Sequence, residues 1–267
     1  MRYITKRDTK IPIPKKTSHK GENGRVLVVG GSADYAGAVA LAGLSALRSG
    51  ADSVTIAAPS KVAWAINSLS PDLMTSKLDG DSIDIRHLKA IIELSKKADV
   101  VLIGNGIGMR SGTQKLVRQA VRRIDLPMVI DADAIKALSI RAIKNSVITP
   151  HKTELDFLLN NSGIDKTQLK SCIGDNVVLL KGNVDRIITK NKILYNKTGN
   201  PGMTVSGTGD VLAGICAGFI AQGLTPLNSA INAAYFTGLA GDLLKKKKQG
   251  YCYIASDVAY EITRVLK

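Results

Sequence analysis

Residues 198–210 read TGNPGMTVSGTGD, a loop of small residues that runs directly into a helical sequence. From Val211 onward, apolar residues recur at helical spacing. The glycines at 207 and 209 free backbone N–H groups from Cβ obstruction, and the helix N-terminus adds unsatisfied N–H donors and a positive dipole end. The stretch therefore predicts a phosphate cradle with its reactive centre at Ser206-Gly207-Thr208-Gly209-Asp210.

Asp210 stands at the predicted start of this helix, where its carboxylate is placed to accept a proton from a hydroxyl nucleophile. The alternative is a plain helix cap among turn glycines. The density of small residues over the whole loop favours phosphate chemistry, because a cap does not need it.

Upstream of this loop, short apolar runs alternate with helical stretches. The runs are continuous and rich in β-branched residues, which is typical of strands buried on both faces of a parallel sheet. Strands are predicted at 26–29, 53–57, 100–103, 128–130, 147–148 and 177–180, and helices at 36–48, 83–97, 113–124, 134–138 and 153–159. This alternation predicts an α/β fold with a doubly wound, mainly parallel sheet flanked by helices.

The alternation of strands and helices ends after residue 185. Residues 186–189 and 192–195 predict a hairpin around Lys190-Asn191, and three helical segments follow, at 210–221, 227–248 and 256–267. No composition break divides the chain, so residues 25–267 are predicted to form a single catalytic domain. Residues 1–24 are a polar leader, predicted to lie over the surface as a loop or short helix.

The composition argues against a membrane-spanning, a secreted or a nucleic-acid-binding protein. No apolar run reaches the length of a membrane span, and the N-terminus lacks the apolar core of a signal peptide. Three cysteines without CxxC spacing predict free thiols in a reducing, cytoplasmic compartment. The net charge of +15 is scattered and lacks interleaved aromatics, which argues against nucleic acid and suits a polyanionic nucleotide.

A second loop, Thr149-Pro150-His151-Lys152-Thr153-Glu154, follows the strand predicted at 147–148. It predicts a ligand contact from His151 and a role for Glu154 in organising magnesium-bound water or phosphate. An ordinary surface loop is the alternative.

Further loops with glycines or charges follow the other strands. They are Gly30–Ala38, Gly104–Gly108, Asp131–Asp133 and Lys181–Asp185. Because the carboxyl ends of parallel strands meet at one sheet edge, these loops are expected to converge on one ligand site. Neither GxGxxG nor GxxxxGK[ST] occurs in the chain, so the dinucleotide and Walker fingerprints are absent.

From about Gly24 to its end, the chain resembles the NAD(P)H-hydrate dehydratase family of the ribokinase-like superfamily. Two departures stand out, because the family usually has Pro where this chain has Asn105 and Gly where it has Ser206. The matching segments are Gly30-Gly31-Ser32, Tyr35-Ala36-Gly37-Ala38, Gly104–Gly108, Asp131-Ala132-Asp133-Ala134, Thr149-Pro150-His151 with Glu154, Leu180-Lys181-Gly182, Asn200-Pro201-Gly202-Met203 and Gly207–Gly214.

The resemblance implies repair of the S form of hydrated NADH or NADPH, in which ATP or ADP with Mg²⁺ phosphorylates the ring hydroxyl and phosphate is then eliminated. It implies that Asp210 takes the hydroxyl proton and that the N–H groups of Gly207, Thr208 and Gly209 hold the phosphoryl group. Implied contacts to the hydrate come from Ala38, Gly106, Gly108, His151 and Asp210. Implied contacts to the nucleotide come from Lys181, Gly182, Asn183, Val184, Asp185 and Gly209.

The resemblance also implies a homo-oligomer, expected to be a tetramer, and a separate epimerase in the same pathway. It leaves open the choice between ATP and ADP and between NADH and NADPH hydrates. A small-molecule kinase of the same superfamily, acting on a thiazole, pyrimidine or sugar alcohol, remains the alternative. A third hypothesis, a binding module that uses the basic surface, predicts that Asp210→Asn spares the activity.

Overall fold

A ten-stranded sheet forms the centre of the computed structural model, which describes residues 1–266. The strands lie in the order β1-β10-β9-β8-β7-β6-β5-β2-β3-β4. Only β9 runs against its neighbours; every other pairing outside β9 is parallel. The strands are β1 (Arg2–Tyr3), β2 (Arg25–Val29), β3 (Ser53–Pro59), β4 (Met74–Leu78), β5 (Val100–Ile103), β6 (Met128–Ile130), β7 (Ser146–Ile148), β8 (Val177–Leu180), β9 (Asp185–Ile188) and β10 (Ile193–Asn196).

Helices cover both faces of this sheet, and their buried side chains form two separate apolar clusters. On one face lie α1 (Ala36–Arg48), α2 (Ser60–Leu69), α8 (Thr208–Ala221), α9 (Pro226–Lys247) and α10 (Ala255–Val265). On the other lie α3 (Leu88–Ser95), α4 (Ser111–Arg123), α5 (Asp133–Lys136), α6 (Lys152–Ser162) and α7 (Leu169–Cys172).

The strand sequences explain this layering. Along β2, Val26 and Val28 point into one cluster while Leu27 and Val29 point into the other, as the two-residue period of a strand requires. All four are buried, so the run carries no polar alternation. The predicted doubly wound sheet, its six strands and the C-terminal hairpin are confirmed, as is the free state of all three cysteines.

Three parts of the fold differ from the prediction. The prediction assigns no element to residues 58–82, yet α2 and the edge strand β4 lie there. Strand β4 reads MTSKL and has one buried residue, so it lacks the apolar signal of a buried strand. The short α7 was also not predicted. The loop or short helix predicted for residues 1–24 is wrong for β1, which pairs with β10, and Ile4 beside it is buried.

The topology places a crevice between β2 and β5. From β2 the chain moves outward through β3 and β4, and it then returns to β5 on the opposite side of β2. The loops after these two strands therefore diverge, which is where ligands bind in open α/β sheets. Gly104 follows β5 with φ +125°, and a Cβ there would collide with the backbone carbonyl oxygen of Asp131. The loops after β5 and β6 consequently lie in direct contact. Within residues 1–266, no helix has both the length and the apolar character needed to cross a bilayer.

Helices α1 and α8 approach each other closely through small residues. Gly214 of α8 lies against the backbone of Ala42, and Gly218 lies against Ala46 and Ser49. These two small residues of α8 therefore pack within the domain. The tetramer stays a prediction.

We expect Gly214→Ala to destabilise the fold by about 1–3 kcal/mol, because the added methyl group must push α8 away from α1. Denaturant unfolding measures this loss. Gly37→Ala is the matched control, since a Cβ there meets no atom within 4 Å and alanine favours the helix. A Gly214→Ala protein as stable as the Gly37→Ala protein would contradict the predicted helix contact.

Candidate active site

The N-terminus of α8 presents a row of unused backbone donors. Gly207 precedes the helix at φ +96°, a conformation that strains any residue with a Cβ. Among residues 1–266, the N–H groups of Gly207, Gly209 and Asp210 find no hydrogen-bond acceptor, and that of Thr208 reaches the Val205 carbonyl only at 3.5 Å. The predicted cradle residues are therefore brought together with their donors free for an anion.

Asp210 is the third residue of α8, and its carboxylate faces the loops after β5, β6 and β8. The side-chain amide of Asn105 donates to Oδ1 of Asp210 at 2.7 Å and to Oδ2 of Asp131 at 3.0 Å. Asn105 is one of the two positions that depart from the family pattern, and it joins two buried or half-buried carboxylates. The other, Ser206, is exposed in the turn before the helix.

Asp131 is a buried anion with several partners. Its Oδ1 accepts hydrogen bonds from Thr149 Oγ1 at 2.8 Å and from Lys181 Nζ at 2.9 Å. Its side chain is almost completely buried, as a carboxylate can be when it is paired and hydrogen-bonded. Burial alone would lower the pKa of Lys181, but the charges of Asp131 and Glu154 outweigh it and raise that pKa. Lys181 therefore stays a cation at neutral pH.

Lys181 also lies beside the cradle. A Cβ placed on Gly209 would sit 3.3 Å from its Nζ atom. The ammonium group thus adds positive charge where the helix N-terminus already presents N–H donors.

Burial raises the pKa of Asp210 to about 6. The hydrogen bond from Asn105 and the charge of Lys181 lower this pKa, the hydrogen bond more strongly. The negative charges of Asp131 and Glu154 raise it further. A carboxylate with a pKa near the working pH is suited to general-base catalysis, because it is both ionised and basic enough to accept a proton.

His151 and Glu154 form the start of α6. The His151 Nδ1 atom accepts from the backbone N–H groups of Thr153 and Glu154, and Glu154 Oε2 accepts from the N–H of His151 at 2.8 Å. Glu154 Oε2 also lies 3.9 Å from Lys181 Nζ. This reciprocal capping fixes the side chains of His151 and Glu154, and it holds Glu154 near Lys181. No group of three or more His, Cys, Asp or Glu side chains within residues 1–266 is arranged to hold a metal.

The turn between β8 and β9 is closed by Asp185. Its carboxylate accepts from the N–H of Gly182 and from Asn196 Nδ2, both at 3.0 Å, and burial raises its pKa. Both carboxylate oxygens are thus used within the protein, while Gly182 and Asn183 are exposed and Val184 is half-buried. The carboxylate of Asp185 therefore shapes the turn; its predicted contact to a nucleotide stays a prediction.

The loops after β2 and β5 meet at Gly106. A Cβ on Gly106 would lie 2.6 Å from that of Tyr35 and 3.4 Å from that of Ala38. The N–H of Gly108 donates to Asp133 Oδ2 at 3.1 Å, so it is already engaged. Ala38 and Gly106 are brought together as the sequence predicts, whereas the contribution of Tyr35 was missed.

The small-residue loop before α8 is held through its own Asn200 by two side chains that sequence analysis missed, Asp242 and Tyr253. Asn200 Nδ2 donates to Asp242 Oδ1 at 3.1 Å, and Tyr253 Oη donates to Asn200 Oδ1 at 2.6 Å. Asp242 Oδ2 accepts the N–H of Gly199 at 2.9 Å. Asp242 and Tyr253 come from later in the chain, so no local pattern points to them. Asn105 and Thr149 were visible only as loop residues.

Comparison with known proteins shows the family to which the chain belongs. The model of a family described as NAD(P)H-hydrate dehydratase matches residues 26–264. The ADP-dependent (S)-NAD(P)H-hydrate dehydratase of Nitrosopumilus maritimus is 36% identical over 96% of this chain and 93% of that protein. The bifunctional NAD(P)H-hydrate repair enzyme of Methanothermobacter thermautotrophicus is 41% identical over 96% of this chain and 52% of that protein. The chain spans about half the length of such bifunctional relatives.

A solved structure agrees with this result. The ADP/ATP-dependent NAD(P)H-hydrate dehydratase of Bacillus subtilis, co-crystallised with ATP and Mg²⁺, matches with a TM-score of 0.84 at 26% identity. The match covers 99% of this chain and 97% of that one.

We expect Asp210→Asn to stabilise the fold at about pH 8 by about 2 kcal/mol and to have little effect at about pH 4. The folded-state pKa of Asp210 lies above its unfolded value of 3.8, so ionisation costs free energy only in the folded protein. This cost is absent below pH 3.8 and complete above pH 6. Denaturant unfolding at the two pH values measures it.

Asp84→Asn is the control of opposite sign. A hydrogen bond from Arg86 lowers the pKa of Asp84 to about 2, so its ionised form stabilises the fold above pH 3.8. That contribution is lost as the pH falls through about 2. Asp84→Asn should therefore lower stability at about pH 8. Equal effects of the two substitutions at that pH would refute the assignment for Asp210.

Proposed function

Since the chain belongs to the NAD(P)H-hydrate dehydratase family, we propose that it restores hydrated NADH and NADPH by nucleotide-dependent dehydration of the S form. The observation that carries this proposal is the pairing of Asp210 with the free N–H groups at the start of α8. A base and an anion cradle lie on adjacent residues of one helix turn. Lys181 adds a fixed cation beside them.

The first step is a phosphoryl transfer. Asp210 takes the proton of the ring hydroxyl, and the hydroxyl oxygen forms a bond to the terminal phosphorus of ATP or ADP. The bond between that phosphorus and the bridging oxygen breaks, which releases ADP or AMP. The N–H groups of Gly207, Thr208 and Gly209 receive the charge of the transferring group.

The second step is an elimination. Phosphate leaves with the electrons of its carbon–oxygen bond while the ring nitrogen lone pair moves toward the ring. Loss of a proton from the neighbouring ring carbon then gives the reduced nicotinamide. Phosphate leaves readily because the N–H donors and Lys181 are already positioned for its negative charge.

The residues present are compatible with Mg²⁺ bound mainly through phosphates. This ion keeps several water ligands and needs only one or two carboxylates when it binds with a nucleotide. Glu154 would reach it through water, because its Oε2 atom already accepts a backbone N–H. When bound, Mg²⁺ supplies charge neutralisation on the nucleotide phosphates.

The walls of the site suit two ligands. We assign the hydrate to the side formed by Ala38, Gly106, Gly108 and His151, and the nucleotide to residues 181–185 together with Gly209. Asp210 lies between these two groups, since Asn105 joins it to the Gly106 side and Lys181 lies on the nucleotide side. The unpaired cysteines suit the cytoplasm, and an epimerase that interconverts the two forms of the hydrate is the proposed partner activity.

The test is recovery of reduced nicotinamide absorbance. Hydrated NADH is incubated with the protein and with ATP or ADP in parallel, and we expect recovery with at least one nucleotide. Asp210→Asn should lower turnover by about 10²–10⁴-fold, because an amide cannot take the hydroxyl proton, while nucleotide affinity changes by less than about threefold. Asp165→Asn, at an exposed turn remote from the site, is the control that keeps full turnover.

No recovery with either nucleotide would reject the dehydratase proposal. If a thiazole, pyrimidine or sugar alcohol instead gave a stable phosphate ester, the chain would be a small-molecule kinase that uses Asp210 in the same way. Full turnover by Asp210→Asn would reject both mechanisms.

A further inference from the structure

Asn105 is a completely buried polar residue in the loop after β5. Its backbone oxygen accepts the N–H of Gly31 at 2.9 Å, which ties this loop to the one after β2. This bond fixes the backbone from which the Asn105 side chain extends toward the carboxylates of Asp131 and Asp210.

The Asn105 amide is oriented by those two carboxylates. An amide nitrogen has two hydrogens, and Asn105 Nδ2 directs hydrogen bonds to Asp131 and Asp210. The opposite orientation would turn the amide oxygen toward two anions. As a result, Oδ1 of Asn105 is buried without a hydrogen-bond donor among residues 1–266. A buried acceptor without a donor lowers the stability of the folded protein. Such an atom calls for an explanation, and here the explanation is that the amide nitrogen bonds two carboxylates.

The two carboxylates depend on Asn105 to different degrees. Asp131 has other partners, namely Thr149 and Lys181. Asp210 accepts no other hydrogen bond from a residue in the range 1–266. Its charged neighbours are Asp131 and Glu154, which oppose its ionisation, and Lys181, which favours it. Asn105 is therefore the one described side chain that fixes the direction of the Asp210 carboxylate.

We propose that Asn105 is a positioning residue that holds the Asp210 carboxylate as an ionised base with Oδ1 anchored and Oδ2 free to take the proton. This rests on the proposed function, in which Asp210 breaks the O–H bond of the substrate hydroxyl. The proton goes to Oδ2, and the electron pair of that bond stays on the oxygen that attacks phosphorus. Because Asn105 is neutral, it supports the anion without a positive charge that would make Asp210 a weaker base.

The pKa of Asp210 is consistent with this geometry. Burial raises it, and the hydrogen bond from Asn105 is the largest effect that lowers it again. Without Asn105, the carboxyl group would hold its proton to higher pH. It would also be free to rotate away from the cradle.

The first measurement needs no substrate. In the wild-type protein with ¹³C-labelled aspartate, the Asp210 carboxyl signal, assigned by its absence in Asp210→Asn, should titrate near pH 6. The side-chain N–H signals of Asn105 should move with the same midpoint and should lose this transition in Asp210→Asn. In Asn105→Ala, the Asp210 midpoint should rise by about one pH unit.

The second measurement uses turnover. For Asn105→Ala, the acid limb of kcat/KM should move up by about one pH unit, so that kcat/KM at about pH 5 falls roughly tenfold beyond any loss on the plateau. The plateau kcat should fall while KM for the nucleotide changes less than about threefold. A purely structural role would lower stability without moving the acid limb.

Asn232→Ala is the matched control. Asn232 is also completely buried, and its amide makes two hydrogen bonds, both to the backbone of Lys10. Its loss should lower stability and leave the Asp210 titration and the acid limb unchanged. A shift in Asn232→Ala equal to that in Asn105→Ala would overturn the inference.

The outcomes separate this inference from the proposed function. If Asn105→Ala folds but leaves the Asp210 midpoint unchanged, the inference is rejected whether or not the wild type restores the cofactor. If Asn105→Ala does not fold, the shared midpoint of Asn105 and Asp210 in the wild type decides, and two unrelated midpoints reject it. If both titrations follow expectation but hydrate is not consumed, the dehydratase proposal fails and the anchoring of Asp210 stands.

Discussion

The ion pair between Asp131 and Lys181 holds the centre of the site. It joins the loop after β6 to the end of β8, and it places a buried anion and a half-buried cation beside the start of α8. A carboxylate buried as deeply as that of Asp131 is costly alone, because the cost of removing an ion from water is offset only by a close opposite charge and further hydrogen bonds. Thr149 and Asn105 supply those additional bonds to Asp131. The position of Asp210 follows from this arrangement, since Asn105 connects it to Asp131.

The same electrostatics suit Asp210 to the general-base role that we propose for it. Asp131 accepts hydrogen bonds from Lys181 and Thr149 besides the Asn105 amide, whereas Asp210 accepts only that amide. Burial raises the pKa of Asp210 to about 6, and the hydrogen bond from Asn105 offsets only part of this rise. Under the proposed function, the burial that raises this pKa lowers the stability of the folded state and supplies a base with a nearly neutral pKa, as enzyme sites commonly do.

The sequence predicted the secondary structure best where a local apolar pattern corresponds to a single strand or helix. The buried strands, the hairpin and helix α1 were predicted because their apolar periods are local and uninterrupted. Edge strand β4 and β1 were missed because they are short, partly polar and stabilised by their neighbours. Within the site, the small-residue loop with Asp210 was visible in the sequence. The network that tunes it was not, because Asn105, Asp131, Thr149 and Lys181 come from four different loops.

The sequence by itself determined the doubly wound sheet, the glycine-rich start of α8 and the presence of a carboxylate at that start. These follow from hydrophobic periodicity and from backbone geometry that glycine permits, both of which act over a few residues. Only the tertiary structure decided that Asp131 pairs with Lys181 while Asp210 bonds only to the Asn105 amide. That distinction depends on distances of about 3 Å between side chains far apart in the chain and on their shared burial. No pattern of neighbouring residues contains such distances, since they arise only when the strand ends meet.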